Sequence, residues 1–440
     1  MALDIHPECK KRIIEIVTEE LPYIVVNNKM FLGDKSFIGL LLKDDSLPTR
    51  GSVKTQLEQY IGESPLYVFL TETLYKELSE TQKYDSNPTP TKLTELEGYE
   101  DPLAVGVRLI ESFTTLPWRY TLTIKFKNDF GEIFRKTIKH FTVSDSIKLF
   151  CPDKQFKTDF SLQSGNVAKD RSLSGNAFTS PRLYDYKPQE WDENATYIQI
   201  KVDGFIGKYA STFPLEDALS ILKSFCGLSI ALRLLKVNTT YHPRQSIAKF
   251  FVHKHVDGKW IIENSHELDF ITSDTFNDLV IHDFDDYLDI QDKKTRWFTS
   301  KLILLNCAFS HKEKSKKIIL AGQWLFESYC GSNGLLSFVQ STVALEILLG
   351  EKKISDLMGL GELLRNRCAY LIGKTHQQRE EVLSDFKKIY EIRSKIVHRG
   401  KSKLNNNEKF LFSKLQWMCR RVICEEINLL SKDIQNALTR

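Results

Sequence analysis

Tyr390-Glu391-Ile392-Arg393-Ser394-Lys395-Ile396-Val397-His398-Arg399-Gly400 closes the stretch that decides how the second half of this chain folds. From His376 to Val397 the apolar residues Val382, Phe386, Ile389, Tyr390, Ile396 and Val397 recur at helical spacing and make one stripe. At about 100° per residue, Arg393 falls in the centre of that stripe, where a leucine would be expected. A guanidinium keeps its proton, so on a buried face it requires an anion or a wet cleft. His398 follows five residues later, and Gly400 supplies a helix stop. Arginine and histidine together are the minimum for metal-free chemistry on a phosphodiester: one holds charge, the other moves a proton.

Outward from this stretch, helical patterns follow one another from about Ser273: 295–309, 314–329, 335–349, 357–372, 376–397 and 408–438. Gly350 and Gly373 stand at helix ends, and Asn405-Asn406-Asn407 makes a polar turn with Asn407 as an N-cap. Short connections between antiparallel helices predict an all-α bundle over 273–440. Residues 1–272 read as mainly β with some helix, such as Leu215 to Leu235. Tyr120 to Lys127 alternates, turns at 128–131 and returns through Ile133 to Val143; Tyr197 to Val202 is a further strand. Lys249 to Val256 and Lys259 to Ile262 flank an Asp257-Gly258 turn and form a hairpin. Two polar stretches, 84–101 and 153–193, read as mobile loops. The fold class is therefore α+β and multidomain, a β-rich region followed by a helical bundle.

With 440 residues the chain is too long for one compact core, and 42% hydrophobic with 27% charged residues is ordinary soluble composition. The eight cysteines include no Cys-x-x-Cys pair and read as reduced thiols. The start of the chain carries no apolar signal segment, and the most apolar helix, 335–349, is broken by Gln340, Ser341, Thr342 and Glu346. A cytoplasmic protein without a membrane span is expected. Charge is unevenly spread. Residues 351–440 hold 19 Lys and Arg against 11 Asp and Glu, a net +8, whereas residues 1–350 are net −4. A basic region around an Arg/His pair favours a polyanionic ligand.

Arg393 to His398 fits the pattern Arg-x(4–6)-His with a polar residue directly after the arginine. It is preceded by Val343-Ala-Leu-Glu346-Ile-Leu-Leu-Gly350 and by Leu363-Leu-Arg365-Asn-Arg367-Cys-Ala-Tyr370-Leu-Ile-Gly373. In this order the three blocks resemble the Apea-like subgroup of the HEPN superfamily, over roughly residues 300–436. The resemblance implies a frequently dimeric helical bundle acting as a metal-independent endoribonuclease, often in anti-phage defence by abortive infection. Arg393 and His398 would be the catalytic pair. The implied partners are an RNA substrate such as tRNA, a phage-derived trigger and a second copy of the chain. No cofactor and no metal are expected.

The chemistry matches the residue types. A histidine that titrates near neutrality serves as base or acid, and a planar arginine holds two phosphate oxygens. Ser394 could donate to phosphate or orient the histidine, and Glu346, lone in an apolar helix, is a partner for Arg393 or Arg367. Arg367, with Arg365 on the same helix, is a candidate for phosphate binding or for structural pairing, and Lys395, Arg399, Lys401 and Lys403 read as a solvated basic rim that could steer RNA; Arg367, Lys395, Arg399 and Lys401 are the expected RNA-binding residues. Five positions on a regular helix separate two side chains by about 140°. The pair therefore converges only if the helix bends near Val397 or if a second protomer completes the site. The competing reading is a HEPN scaffold that binds RNA or nucleotide without cutting, with Arg393 paired internally and His398 capping a helix end. His253-Lys-His255 puts two imidazoles on one strand face but lacks a third ligand, and His282-Asp283-Phe-Asp285-Asp286 reads as an acidic surface loop. The acidic region before 273 is expected to be a sensor or regulatory unit that restrains the basic bundle.

Overall fold

The computed structural model describes residues 3–33, 36–42, 52–85, 89–126, 134, 138–163, 190–210, 212–238, 246–282, 291–350 and 360–438. The fold is α+β. An N-terminal unit packs α1 (Pro7–Glu20), α2 (Ile38–Leu42), α3 (Ser52–Tyr60), α4 (Pro65–Thr81) and α5 (Pro102–Thr114) around a small sheet. That sheet has strand order β2 (Phe31–Leu32), β1 (Val25–Asn27), β3 (Thr91–Lys92). Ile13, Val17, Phe69, Leu70, Leu74, Ile110 and Phe113 form its buried centre. The polar stretch 84–101 is more than a loop: Leu93, Leu96 and Tyr99 are buried in this core, and the Leu93 N–H donates to the Ile24 carbonyl.

The second layer is a six-stranded antiparallel sheet made by β4 (Trp118–Lys125), β5 (His140–Ser144), β6 (Ile147–Phe150), β7 (Tyr197–Gly204), β9 (Lys249–Val256) and β10 (Lys259–Glu267). Their order is β10-β9-β4-β7-β6-β5. The hairpin expected from 120–127 onto 133–143 does not form. β4 instead lies between β7 and β9, and β5 pairs with β6. Both edges of β4 are taken by β7 and β9, and the strand is also covered on both faces. Tyr120, Leu122 and Ile124 enter the main core, while Thr121 and Thr123 face buried Gln199 and His253 beneath Phe160 and Trp191. The β9–β10 hairpin forms as expected, with Asp257 (φ 48°) and Gly258 (φ 80°) in the left-handed region that a two-residue turn requires. In the second polar stretch, α6 (Lys154–Asp159) and the buried Trp191 are ordered elements; residues 164–189 lie outside the described residues.

Beyond the sheet come α7 (Phe213–Ala231), the strand pair β8 (Leu235–Val237) and β11 (Leu279–Ile281), and α8 (Phe270–Asn277). Among the described residues before 273 helix exceeds strand, so this region is mixed rather than mainly β. The bundle follows as α9 (Gln291–Ser310), α10 (Lys312–Glu327), α11 (Gly334–Leu349), α12 (Leu360–Ile372), α13 (His376–Arg399) and α14 (Asn406–Leu438), all close to their expected bounds. One core runs without interruption from the sheet through α7 into all six helices, from Leu122 and Phe225 to Leu325, Phe386 and Val422. At the α7–α10 crossing a Cβ on Gly227 would lie 1.8 Å from the Gly322 carbonyl oxygen, so the two backbones touch. The division expected at 272–273 therefore passes through a shared core. None of the described helices is long and apolar enough to cross a membrane. The eight cysteines are free thiols, and burial pushes Cys368 up to about 12.

Candidate functional site

Arg393 stands on α13, whose core face is Val382, Phe386, Ile389 and Ile392. The apolar stripe drifts relative to the sequence reading. Ile392 takes the buried position, Val397 is 46% exposed, and Arg393 lies at the margin of the stripe rather than in its centre. A margin suits an arginine, because its stem can be covered while the guanidinium meets solvent. Its side chain is 24% exposed, and Nε lies 3.4 Å from Oε1 of Glu346 on α11, itself 20% exposed. That separation is ion-pair range without hydrogen-bond geometry, and the buried Nε–H makes no hydrogen bond among the described residues.

Tyr390, one turn before Arg393, completes the cluster. Its hydroxyl donates to the same Glu346 Oε1 at 3.4 Å, and the Arg393 guanidinium carbon sits 5.9 Å from its ring centroid. Burial raises the Tyr390 pKa first, the Glu346 carboxylate raises it further, and Arg393 opposes both. The phenol is therefore a lasting donor to Glu346. Of the two partners expected for Glu346, Arg393 and Arg367, it is Arg393 that lies against it, and Tyr390 joins the pair unexpectedly. Its only signal was the three-residue spacing from Arg393 on the same stripe.

Beside this cluster, α12 and α13 border a groove of about 400 Å³ lined by Arg365, Phe386, Lys387, Tyr390, Glu391 and Ser394, with Gly361 and Glu362 at its edge. Ser394 thus faces an open groove next to Arg393. Arg365 contributes a guanidinium 3.6 Å from Glu362, and its buried Nε–H has no hydrogen-bond partner among the described residues.

His398 is exposed in the last turn of α13. The helix stays regular to Arg399, and Gly400 ends it in the left-handed region (φ 63°), donating its N–H to the Lys395 carbonyl. The bend near Val397 that would have brought the two residues together is therefore not present. Arg393 and His398 point about 140° apart around one helix. Of the expected rim, Lys395 and Arg399 are exposed, whereas Lys401 is bound to Glu408 at 3.0 Å. Glu408 also accepts from the Asn405 N–H at 2.8 Å while Asn405 Oδ1 accepts from the Glu408 N–H, a reciprocal cap on α14. The cap residue is thus Asn405, not Asn407. Arg367 is exposed and donates to the Leu349 carbonyl at 2.9 Å, closing the end of α11.

His253 of the His-Lys-His strand is fully buried beside Phe160 and Trp191, and the loss of hydration lowers its pKa to about 4 against the opposing backbone hydrogen bonds of Ser161 and Phe160. His255 packs on Trp260 instead. Residues 283–290, with the acidic cluster, lie outside the described residues. Among the described residues no group of three metal-ligating side chains converges. Comparison with protein families, with curated proteins and with solved structures gives no match for this chain.

Proposed function

We propose that the protein is a metal-independent endoribonuclease of the HEPN type, acting as a cytoplasmic effector of anti-phage defence, with a site completed between two copies of the chain. The observation that carries this reading is the state of Arg393. Its side chain is 24% exposed next to the groove that Tyr390 and Ser394 line, it faces one carboxylate at ion-pair distance, and its Nε–H has no hydrogen-bond partner among the described residues. Such a group is ready to take the non-bridging oxygens of a phosphodiester. His398 is exposed and about 140° around α13 from Arg393, which supports a site in which the histidine of one copy meets the arginine of another.

In the proposed reaction, His398 of one protomer takes the proton of a ribose 2′-OH, and O2′ attacks the adjacent phosphorus. The bond from phosphorus to O5′ breaks, leaving a 2′,3′-cyclic phosphate; O5′ takes up a proton and leaves as a 5′-OH. Arg393 of the other protomer binds the phosphoryl oxygens as their charge grows, an effect worth about 10²–10³ in rate for one donor. Glu346 and Tyr390 fix the guanidinium, and Ser394 lies in the groove beside it. Arg399 and Lys395 add positive charge near the histidine.

A second reading, a non-catalytic scaffold that binds RNA, is favoured by the Arg393–Glu346–Tyr390 contacts, which would serve equally as a structural clasp. Cleavage of total RNA and of tRNA by the purified chain in EDTA decides between them. The ribonuclease reading expects cyclic-phosphate ends without added metal. Absence of cleavage under any trigger, or cleavage only with magnesium or manganese, favours the scaffold or the acidic segment around Asp283.

A further inference from the structure

A second cleft of about 590 Å³ lies at the other end of the helix that carries Arg393. It is bordered by the start of α13 (Gln378, Val382), the end of α12, the Trp417 face of α14, and Arg233 from the turn after α7. The two sites share no lining residue, although Asp385 of this cleft and Phe386 of the first groove are neighbours on α13.

Four cations line this cleft, Arg233, Lys374, Lys414 and Arg421, against two carboxylates, Glu381 and Asp385. Lys414 is bound to Asp385 at 2.5 Å and Arg421 to Glu425 at 3.1 Å. Arg233 and Lys374 are exposed, and their side chains make no ion pair with a described residue. Arg233 moreover occupies a left-handed backbone position, φ 62°, where glycine would be unstrained. Trp417 is 40% exposed and stands on α14 between Lys414 and Arg421, at helical spacings that put all three on one face. An indole open to a cleft offers a flat surface for a base, and two cations without an ion pair among the described residues, against the one carboxylate Glu381 that also has none, leave a net positive seat for phosphate.

We propose that this cleft binds a nucleoside phosphate, with the base on Trp417 and the phosphate between Arg233 and Lys374. The inference does not rest on the ribonuclease reading, because none of these residues belongs to the Arg393 cluster. The ligand has two sources, a free nucleotide or a nucleotide within an RNA strand. An acidic peptide would use the cations but leave the indole without a stacking partner.

The test is calorimetric titration of the full-length chain with ATP, GTP, an uncleavable 2′-O-methyl hexaribonucleotide, and a hexaglutamate control. Binding of at least one nucleotide probe is expected, weakened about tenfold or more both by the double variant Arg233→Gln/Lys374→Gln and by Trp417→Leu. Arg233 and Lys374 are exposed, so the double variant keeps its fold even if Trp417→Leu does not. Binding of ATP or GTP identifies a free nucleotide as a ligand, and binding of the oligonucleotide alone identifies the strand. The proposal is overturned if no nucleotide probe binds, if the double variant binds as tightly as wild type, or if hexaglutamate binds as tightly as the nucleotides.

Discussion

At the residue scale, a guanidinium can do what an ammonium cannot: its planar fork holds two phosphate oxygens at once. Arg393→Lys keeps the charge and loses the planar fork, so initial-rate assays should show RNA cleavage reduced by about 10²-fold or more with the melting temperature unchanged. Wild-type activity in the lysine variant would mean that Arg393 acts only as a point charge. His253 makes a separate prediction about pH. Burial lowers its folded-state pKa to about 4, whereas in the unfolded chain it titrates near its ordinary value of 6.5. Between those values the unfolded chain binds the extra proton, so stability is complete above pH 6.5 and falls as the pH drops towards 4, by about 3 kcal/mol in all. Urea midpoints at pH 7 and pH 5 should therefore differ more for wild type than for His253→Gln; an equal difference would remove His253 as the cause. The sequence drew notice to Arg393 by setting it inside the apolar stripe, but the stripe runs through Ile392 and leaves Arg393 at its margin. Its partner Tyr390 was not legible, since a tyrosine on an apolar stripe looks like ordinary core.

At the scale of the element, legibility followed the range of the interactions that shape it. The six bundle helices were readable because their apolar period is local and repeats over several turns. β4 was misread because its partners β7 and β9 are distant in sequence and its two buried faces hide which neighbour it takes. The helices α1, α4 and α5 were not legible beside the alternating strand signals of the same region. Asn405 was passed over for Asn407 because the reciprocal bond with Glu408 depends on where the turn after Gly400 ends. Glu408→Ala removes that bond and the contact to Lys401, and should cost about 1 kcal/mol in chemical denaturation. Gly227→Ala should cost more, about 3 kcal/mol or above, because the added methyl meets the Gly322 carbonyl rather than a side chain that can turn away. A Gly227→Ala protein as stable as wild type would show that α7 does not sit on α10 as described.

At the scale of the whole molecule, the continuous core decides how the chain can be divided. A fragment of residues 273–440 lacks α7 and should fail to melt cooperatively, whereas residues 118–440 keep the sheet, α7 and the bundle together. A cooperative melt of the shorter fragment would show that the bundle does not need α7. Restraint of the bundle by the N-terminal unit is thus better tested by removing residues 1–117, which carry most of a separate core. The central claim, a catalytic site shared between two copies, is tested most directly by measuring RNA cleavage for wild type, Arg393→Ala, His398→Ala and an equal mixture of the two variants refolded together. Each variant alone should be inactive. In a symmetric dimer the mixture should regain about a quarter of wild-type activity, since half the dimers are mixed and each mixed dimer holds one intact site. Wild-type activity in either folded single variant, or a mixture as inactive as its components, would contradict the shared site.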